Sequence, residues 1–457
     1  MSTVALNSEP WYRSLTRYHW FVLVVCALGW LFDCLDQQLF NLARKPAVTQ
    51  LLGPGAEPGT IDEYGYITTS VFLFGWAIGG LFFGVLGDRI GRAKTMMLTI
   101  LTYSVFTGLS ALSQNVWDFS FYRFLTGLGV GGEFAVGVAL VAEAMPNAAA
   151  RTNALGWLQI VSTIGNVAAA FVNLSFGVME GQGAFEGSDW KPWRLMFVVG
   201  AVPALLVVLI QSRLKEPEQW KHAVAEGETP KRAGSMSELF SDPRWRHNAL
   251  VGLALAIPGV VGLWAIGFFS FDFVRSVFTA HFQAEGRSPE EYRGELTQLV
   301  GLVSILQNIG AGCGMYAFKR FTESHGRRPA FAIAFVLAIL GTAGTFWFLN
   351  DFYDVFWMIP IMGFCQLSLF GGYAIYFPEL FPTRLRSTGT SFCYNVGRFA
   401  AAFMTLVMSG VIKSVSEYVG DPVMAWRYTA IAMCSIFLLG LVALPFAPET
   451  RGQPLPE

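Results

Sequence analysis

The chain has 457 residues, 53% of them hydrophobic and only 14% charged, with 40 Phe, 48 Gly and a mean hydropathy of +0.47. A soluble globular chain carries about 25% charge, so this composition excludes a disordered chain, a nucleic-acid binder and a disulfide-stapled secreted domain. The formal net charge of −1 says nothing until the charges are placed along the chain.

A polar lead, 1–18, precedes twelve apolar stretches, each near the roughly 20 residues that one bilayer crossing needs. Six fall near 19–42, 64–86, 96–113, 117–143, 153–176 and 194–211. A polar segment rich in Lys, Glu, Arg and Pro, 212–247, separates them from six more near 248–274, 296–318, 329–349, 355–377, 388–412 and 425–446. A tail, 447–457, follows. The expectation is an all-α membrane protein with twelve transmembrane helices, in an N-terminal six-helix bundle (19–211) and a C-terminal one (248–446) joined by a cytoplasmic linker.

With the N-terminus in the cytoplasm, 20 of the 31 Lys and Arg fall on that side and nine on the other, while Arg123 and Arg398 lie inside spans. That asymmetry predicts both termini inside a cell (inner) membrane. The first span is too long for a cleavable signal and contains two aspartates. The six cysteines are scattered within spans and read as packing residues. None of the five histidines sits at mid-membrane, so neither a His metal cluster nor a His proton relay is expected. No metal or cofactor is expected.

Two loops repeat. After span two stands Gly84-Val-Leu-Gly87-Asp88-Arg89-Ile-Gly91-Arg92; after span eight stands Lys319-Arg-Phe-Thr-Glu323-Ser-His-Gly326-Arg327-Arg328. Asp88 and Glu323, like Gly91 and Gly326, are 235 residues apart. Glu143-Ala-Met-Pro146 after span four returns as Glu379-Leu-Phe-Pro382 after span ten, at an offset of 236. Two loops with nearly one offset argue for duplication of a six-span unit.

Asp88-Arg-x-Gly-Arg92 resembles the signature loop of the major facilitator superfamily, and Arg123-x3-Gly127-x-Gly129-x-Gly131 resembles its span-four signature. Pro378-Glu-Leu-Phe-Pro-Thr-Arg-Leu-Arg386, Pro448-Glu-Thr-Arg-Gly452 and Glu216-Pro-Glu218 are similar to motifs of the branch that holds sugar porters, metabolite–proton symporters and organic-ion transporters. The resemblance implies two pseudo-symmetric bundles around a central cavity, working by alternating access.

Asp88 lies where it can meet a helix N-terminus or a cation. Arg89 and Arg92 can pair with acids on neighbouring helix ends, and Gly84 and Gly91 permit close approach or a turn. Glu143 with Arg151, Glu379 with Arg384 or Arg386, and the duplicated Glu323 and Arg327 complete a candidate gate. The alternative is ordinary charge on a solvated loop, worth little energetically. The glycines of Gly75-x3-Gly79, Gly80-x3-Gly84 and Gly127-x3-Gly131 suit close helix packing.

Ionisable groups inside the hydrocarbon are functional candidates by default. Asp33 and Asp36 share one face of span one, and Asp36 and Arg123 lie at similar depth. A carboxylate pair facing Arg123 suits proton coupling, whereas a permanent structural salt bridge is the alternative. Sugar porters resemble this chain in pairing a span-one Asp with a span-four Arg. Glu133, ten residues beyond Arg123, reads equally as a second coupling site or as a bundle anchor. Asp272 in span seven lies 236 after Asp36 and one turn before Arg275; it reads as a cavity residue or as an interface pair.

Candidate substrate ligands are Gln159 and Asn166 in span five, Trp264 in span seven, Gln307 in span eight, and Tyr394, Asn395 and Arg398 in span eleven. The Gln159-x5-Gly-Asn166 pattern resembles that of sugar porters. Arg398 stands where organic anion transporters carry an anion-binding arginine. It can fork a carboxylate bidentately, or pair with a neighbouring acid.

The expected function is proton-coupled symport of a small organic anion, aromatic or aliphatic. Sugar or other metabolite transport and drug or metabolite export are alternatives within the class. A membrane sensor or enzyme on a transporter scaffold is the alternative outside it, although the chain has no His/Cys cluster or Walker sequence. The expected partners are protons, a small-molecule substrate and the lipid bilayer, with no nucleic acid; the expected state is a monomer.

Overall fold

The computed structural model describes residues 10–185, 187–211, 213–218, 220–221, 234–420 and 422–456. Every regular element among them is helical. The first half comprises α1 (Arg17–Leu52), α2 (Pro58–Ile90), α3 (Arg92–Ser110), α4 (Val116–Ala144), α5 (Ala148–Gly181) and α6 (Pro192–Gln211). The second comprises α7 (Pro243–Ala284), α8 (Pro289–His325), α9 (Arg327–Phe348), α10 (Asp354–Tyr376), α11 (Arg386–Val419) and α12 (Met424–Phe446). The linker is described only in parts, including a short helix Met236–Ser241; residues 222–233 lie outside the described ones.

Local sequence starts these helices. Asn115 accepts from the Trp117 and Asp118 amides, Asn147 from Ala150, and Asp242 from Arg244 and Trp245, so side chains satisfy orphan amides at three N-termini. Thr16 and His19, and Ser288 and Glu291, form reciprocal capping boxes. The expected end of span one at 42 is corrected: α1 runs through Pro46 to Leu52 and carries Arg44 and Lys45 with it. Charge and proline at that point suggested a loop, but Arg44 is held by partners on α2.

Glycines bring the helices of each half together. A Cβ on Gly75 or Gly79 meets the α4 backbone at Phe124 or Leu128, and one on Gly127 or Gly131 meets α2 at Phe72 or Trp76. Gly310 and Gly314 of α8 abut the α10 backbone at Pro360 and Phe364, and Gly363 of α10 abuts Gln307. Without lipid-excluding hydrophobic force between helices, such small-residue contacts hold the bundles.

The halves meet mainly where α2 lies along α11 and α5 along α8. Gly80, Gly84 and Gly87 of α2 face Asn395, Ser391 and Ser387 of α11, one small step per helical turn. Helix ends carrying the two termini share one face of the molecule, called here the terminal face; the other is the opposite face.

Candidate functional site

Buried charge joins the halves at the terminal face. The Asp88 carboxylate, at the end of α2, accepts from the Ser387 and Thr388 amides at 3.2 and 2.8 Å and from the Thr388 hydroxyl at 2.6 Å. These are the first amides of α11, whose dipole favours an anion there. Arg92 lies 2.9 Å from the same carboxylate and donates to Glu143 at 3.0 Å. Glu143 also accepts from Arg386 of the other half at 2.9 Å.

The second half repeats this with partners exchanged. Arg327 grips Glu379 with Nη2 at 2.9 Å and Nε at 3.1 Å, and Arg151 reaches Glu379 from the first half at 3.5 Å. The expected pairs Glu143–Arg151 and Glu379–Arg386 are therefore replaced by crossed pairs. Each acid keeps an arginine of its own half and takes a second across the interface. Arg384 instead pairs with Glu238 at 2.8 Å. Arg89 is exposed. Glu323 pairs with Lys319 and Arg320 on its own helix, at 3.6 and 3.2 Å, and so does not reproduce the cross-half grip of Asp88.

Two glutamates outside the spans lock these loops. Glu216 accepts from the Arg92, Ala93 and Lys94 amides at 2.7, 3.2 and 3.2 Å; Glu449 accepts from Arg327 and Arg328 at 2.9 and 3.1 Å. The preceding Gly91 and Gly326 have φ of 113° and 98°, a region costly for residues with a Cβ. A Cβ at either would also strike the glutamate. Burial would push the Glu449 carboxyl up, but the amides of Arg327, Arg328 and Arg451 hold it below its ordinary value.

Deeper in the first half, Arg123 forks Asp36 with Nη2 at 3.0 Å and Nη1 at 3.4 Å, and Thr107 donates to the same carboxylate at 2.9 Å. Phe40, Phe72 and Phe197 surround the guanidinium, 4.6–5.1 Å from ring centres. Both members of the pair are fully buried. The expected pair of carboxylates on one arginine is corrected: Asp33 accepts from Gln37 at 3.2 Å, while its Oδ1 has no partner among the described residues. Its charged neighbours are Glu133, Asp36 and Arg398. Glu133 packs against Gly29, one turn before Asp33, and both its oxygens lack partners among the described residues.

At the centre, aromatic rings cross between halves. Phe134 stacks on Tyr394 with centroids 4.2 Å apart, and Trp76 meets Trp264 edge-on at 5.0 Å. Trp264 sits in a widened turn, Gly262–Gly267, where the Gly262 carbonyl accepts from the Gln366 amide at 2.7 Å; such π-type turns recur at functional sites. Arg398 lies 3.9 Å over the Trp76 ring and 4.4 Å from that of Tyr394, and donates to Asn395 at 2.9 Å. The buried Arg398 Nε and Trp76 Nε1 have no partner among the described residues.

The remaining expected ligands line the same interface. Asn166 donates to Asn308 across the halves at 2.8 Å, and Asn395 to the Gly131 carbonyl at 3.3 Å. Gln159 and Gln307 are buried, Gln159 with its Oε1 unsatisfied among the described residues. Asp272 stands apart: it lies toward the opposite face, 3.8 Å from Arg44.

The profile of the "Sugar (and other) transporter" family matches residues 48–238. Over 446 residues the chain is 27% identical to a putative metabolite transport protein of Haemophilus influenzae, covering 97% of this chain and 99% of the relative. It is 28% identical to a probable 4-methylmuconolactone transporter of Cupriavidus pinatubonensis, covering 97% and 93%, and 28% identical to the cis,cis-muconate transport protein of Acinetobacter baylyi, covering 93% and 94%. The fold superposes on the proton:xylose symporter XylE bound to 6-bromo-6-deoxy-D-glucose, a major facilitator superfamily protein, with a TM-score of 0.73 over 96% of this chain and 98% of that one, at 18% identity.

The chain has the major facilitator fold. Its long apolar helices are those of a multi-pass membrane protein, and the family model and the relatives it resembles are transporters.

The residues of this arrangement that the sequence did not reveal are Trp76, Thr107, Arg44, Glu216 and Glu449. The last two belong to motifs quoted above, and their role of capping helix N-terminal amides follows once they face the loop glycines. Trp76 and Thr107 carry no signal in sequence. Both are ordinary membrane-helix residues whose importance comes from what packs on them.

Proposed function

We propose that the transporter is a proton-coupled symporter that imports a small organic anion by alternating access, with the substrate carboxylate bound at Arg398. The observation that carries this is the Arg398 guanidinium 3.9 Å over the Trp76 ring of the other half, with a buried N–H unsatisfied beside it. A planar cation against an aromatic wall suits a planar carboxylate. Relatives named for muconate, sialic acid and niacin transport carboxylates and support that class.

Asp36, Asp33 and Glu133 are the proton-coupling acids. Asp36 is compensated by Arg123, whereas Asp33 and Glu133 have oxygens without partners, and a buried carboxyl in that state costs least when it holds a proton. Substrate on Arg398 changes the charge that Asp33 faces, which links binding to protonation. The terminal-face network closes that side in this state and must separate when the cavity opens there. The excess of cations on the terminal side supports termini in the cytoplasm.

The test is reconstitution in proteoliposomes with an imposed proton gradient. Muconate or nicotinate accumulates above its external level and a protonophore collapses the gradient of solute. Accumulation of xylose with no carboxylate transport overturns the anion reading, and carboxylate uptake indifferent to the proton gradient overturns the coupling.

A further inference from the structure

Toward the opposite face, a second polar cluster bridges the halves and takes no part in the reading above. Arg44 of α1 is held in the first half by the Thr69 hydroxyl at 3.1 Å and by the Tyr66 ring at 5.6 Å. Across the interface it lies 3.8 Å from Asp272 of α7, to which the Tyr66 hydroxyl donates at 3.5 Å. One turn on, Arg275 acts electrostatically on both Asp272 and Arg44. Beside them Gln38 donates to Ser304 of the second half at 2.8 Å, and Asn41 donates to Gln38 at 3.1 Å while its own buried Oδ1 lacks a partner among the described residues. Gln38, Asn41, Arg44, Lys45, Asp272 and Arg275 line one small cavity.

Duplication sharpens the contrast. Asp36 is forked at 3.0 and 3.4 Å by Arg123 of its own half. Asp272 stands 236 residues later, but the position 236 after Arg123 is the buried Ile359. At the matching position its own half carries no arginine; Arg275 acts on Asp272 from one turn on, and Arg44 of the other half lies 3.8 Å from it. A single contact at 3.8 Å is weak beside a bidentate carboxylate fork. Three cations, Arg44, Lys45 and Arg275, stand against two carboxylates, Asp272 and Asp62, the latter 2.7 Å from Lys45. Among the described residues lining the cavity itself, those three cations stand with Asp272 as the one carboxylate, and a wall richer in cations draws anions.

We propose that this cluster is an anion-operated gate: an incoming carboxylate competes with Asp272 for Arg44 and Arg275, breaks the contact between the halves, and so opens the opposite face to the solute that will pass through. Displacement exchanges one carboxylate for another on Arg44, and Asp272 moves away with the second half. A neutral solute of the same shape supplies no replacement charge and leaves the gate shut. The inference rests on the anion reading above but concerns a separate site, some distance along α1 from Asp33.

The experiment uses the full chain in lipid nanodiscs with Gln38→Cys and Ser304→Cys, joined by a short bifunctional thiol reagent, in a Cys313→Ser background because Cys313 is the exposed native thiol. Cross-linking reports the closed gate. Benzoate, muconate and nicotinate are compared with benzamide and nicotinamide, and thermal midpoints are read on the same samples. The carboxylates are expected to slow cross-linking about tenfold, the amides to leave it unchanged, and Asp272→Asn to slow it with no solute present. Arg44→Gln is expected to remove the carboxylate effect. Cross-linking indifferent to carboxylates and to Asp272→Asn, with carboxylates still raising the thermal midpoint, overturns the gate and leaves the anion reading standing. Carboxylates without effect on either measurement overturn both.

Discussion

Arg386 of the second half donates to Glu143 of the first at 2.9 Å, and Arg151 of the first half reaches Glu379 of the second at 3.5 Å. The two contacts are related by the internal duplication, and each crosses the plane that must part. A buried ion pair is expensive to break by halves: removing one partner leaves a charge uncompensated.

Glu143→Gln strips Arg386 of this carboxylate and removes one of the two acids on Arg92. Loss of the pair is expected to cost the closed terminal face about 3 kcal/mol. The measurement is accessibility of a cysteine placed at Ser391 to a bulky thiol reagent from the terminal side. Labelling should rise in Glu143→Gln and fall back in the Glu143→Gln/Arg386→Gln double variant, where no lone cation is left.

Asp36→Asn leaves Arg123 as an unpaired cation among phenylalanine rings. Proton-driven accumulation is expected to vanish while counterflow exchange persists. Asp33→Asn is expected to do the same through loss of the proton rather than of a salt bridge, with a smaller drop in thermal stability. Retention of uphill uptake in both variants counts against coupling at span one.

Arg398→Gln should weaken carboxylate binding at least about tenfold, the value of one charge-assisted hydrogen bond. Arg398→Lys should not restore it, because an ammonium cannot fork a carboxylate bidentately. Isothermal titration with muconate in detergent micelles decides the point; unchanged affinity excludes Arg398 as the anchor.

Gly84→Val places carbon atoms against Ser391 of the other half. The clash arises only when the terminal face is closed, so the variant should favour the opposite arrangement. Terminal-side cysteine labelling should increase, with helix content unchanged by circular dichroism.

Glu449→Gln tests the lock on α9. The native carboxyl is held below its ordinary value of 4.5, so its stabilising effect is fully present above that pH and fades only as pH falls through the depressed value. The gap in thermal midpoint between the native chain and Glu449→Gln should stay constant from neutrality down to about pH 5 and shrink below pH 4. A gap that instead shrinks on raising the pH contradicts the assignment.

Span number, the duplicated loops and the acids and arginines buried in the bilayer were all legible from hydropathy and spacing. These are local properties: a crossing needs apolar length, and a duplicated loop keeps its residues in order. The pairing of Asp36 with Arg123 was legible as well, because helix rise sets both at one depth.

What neighbours what across the halves was decided by packing alone. Asp33 and Asp36 share a face on paper, yet three residues of α-helix leave them about 60° apart, enough to aim Asp36 at Arg123 and Asp33 toward Glu133 and Arg398. Glu143 and Glu379 drew the arginines of opposite halves because neighbouring helix ends in sequence diverge while α2 and α11 converge on their small residues. Arg44 read as loop charge until α2 and α7 supplied it with Thr69, Tyr66 and Asp272. The sequence by itself determined an all-helical membrane fold of two similar halves and the few charges its membrane interior keeps. Only the tertiary structure determined which of those charges face one another, since that depends on how helices hundreds of residues apart rotate and pack side by side.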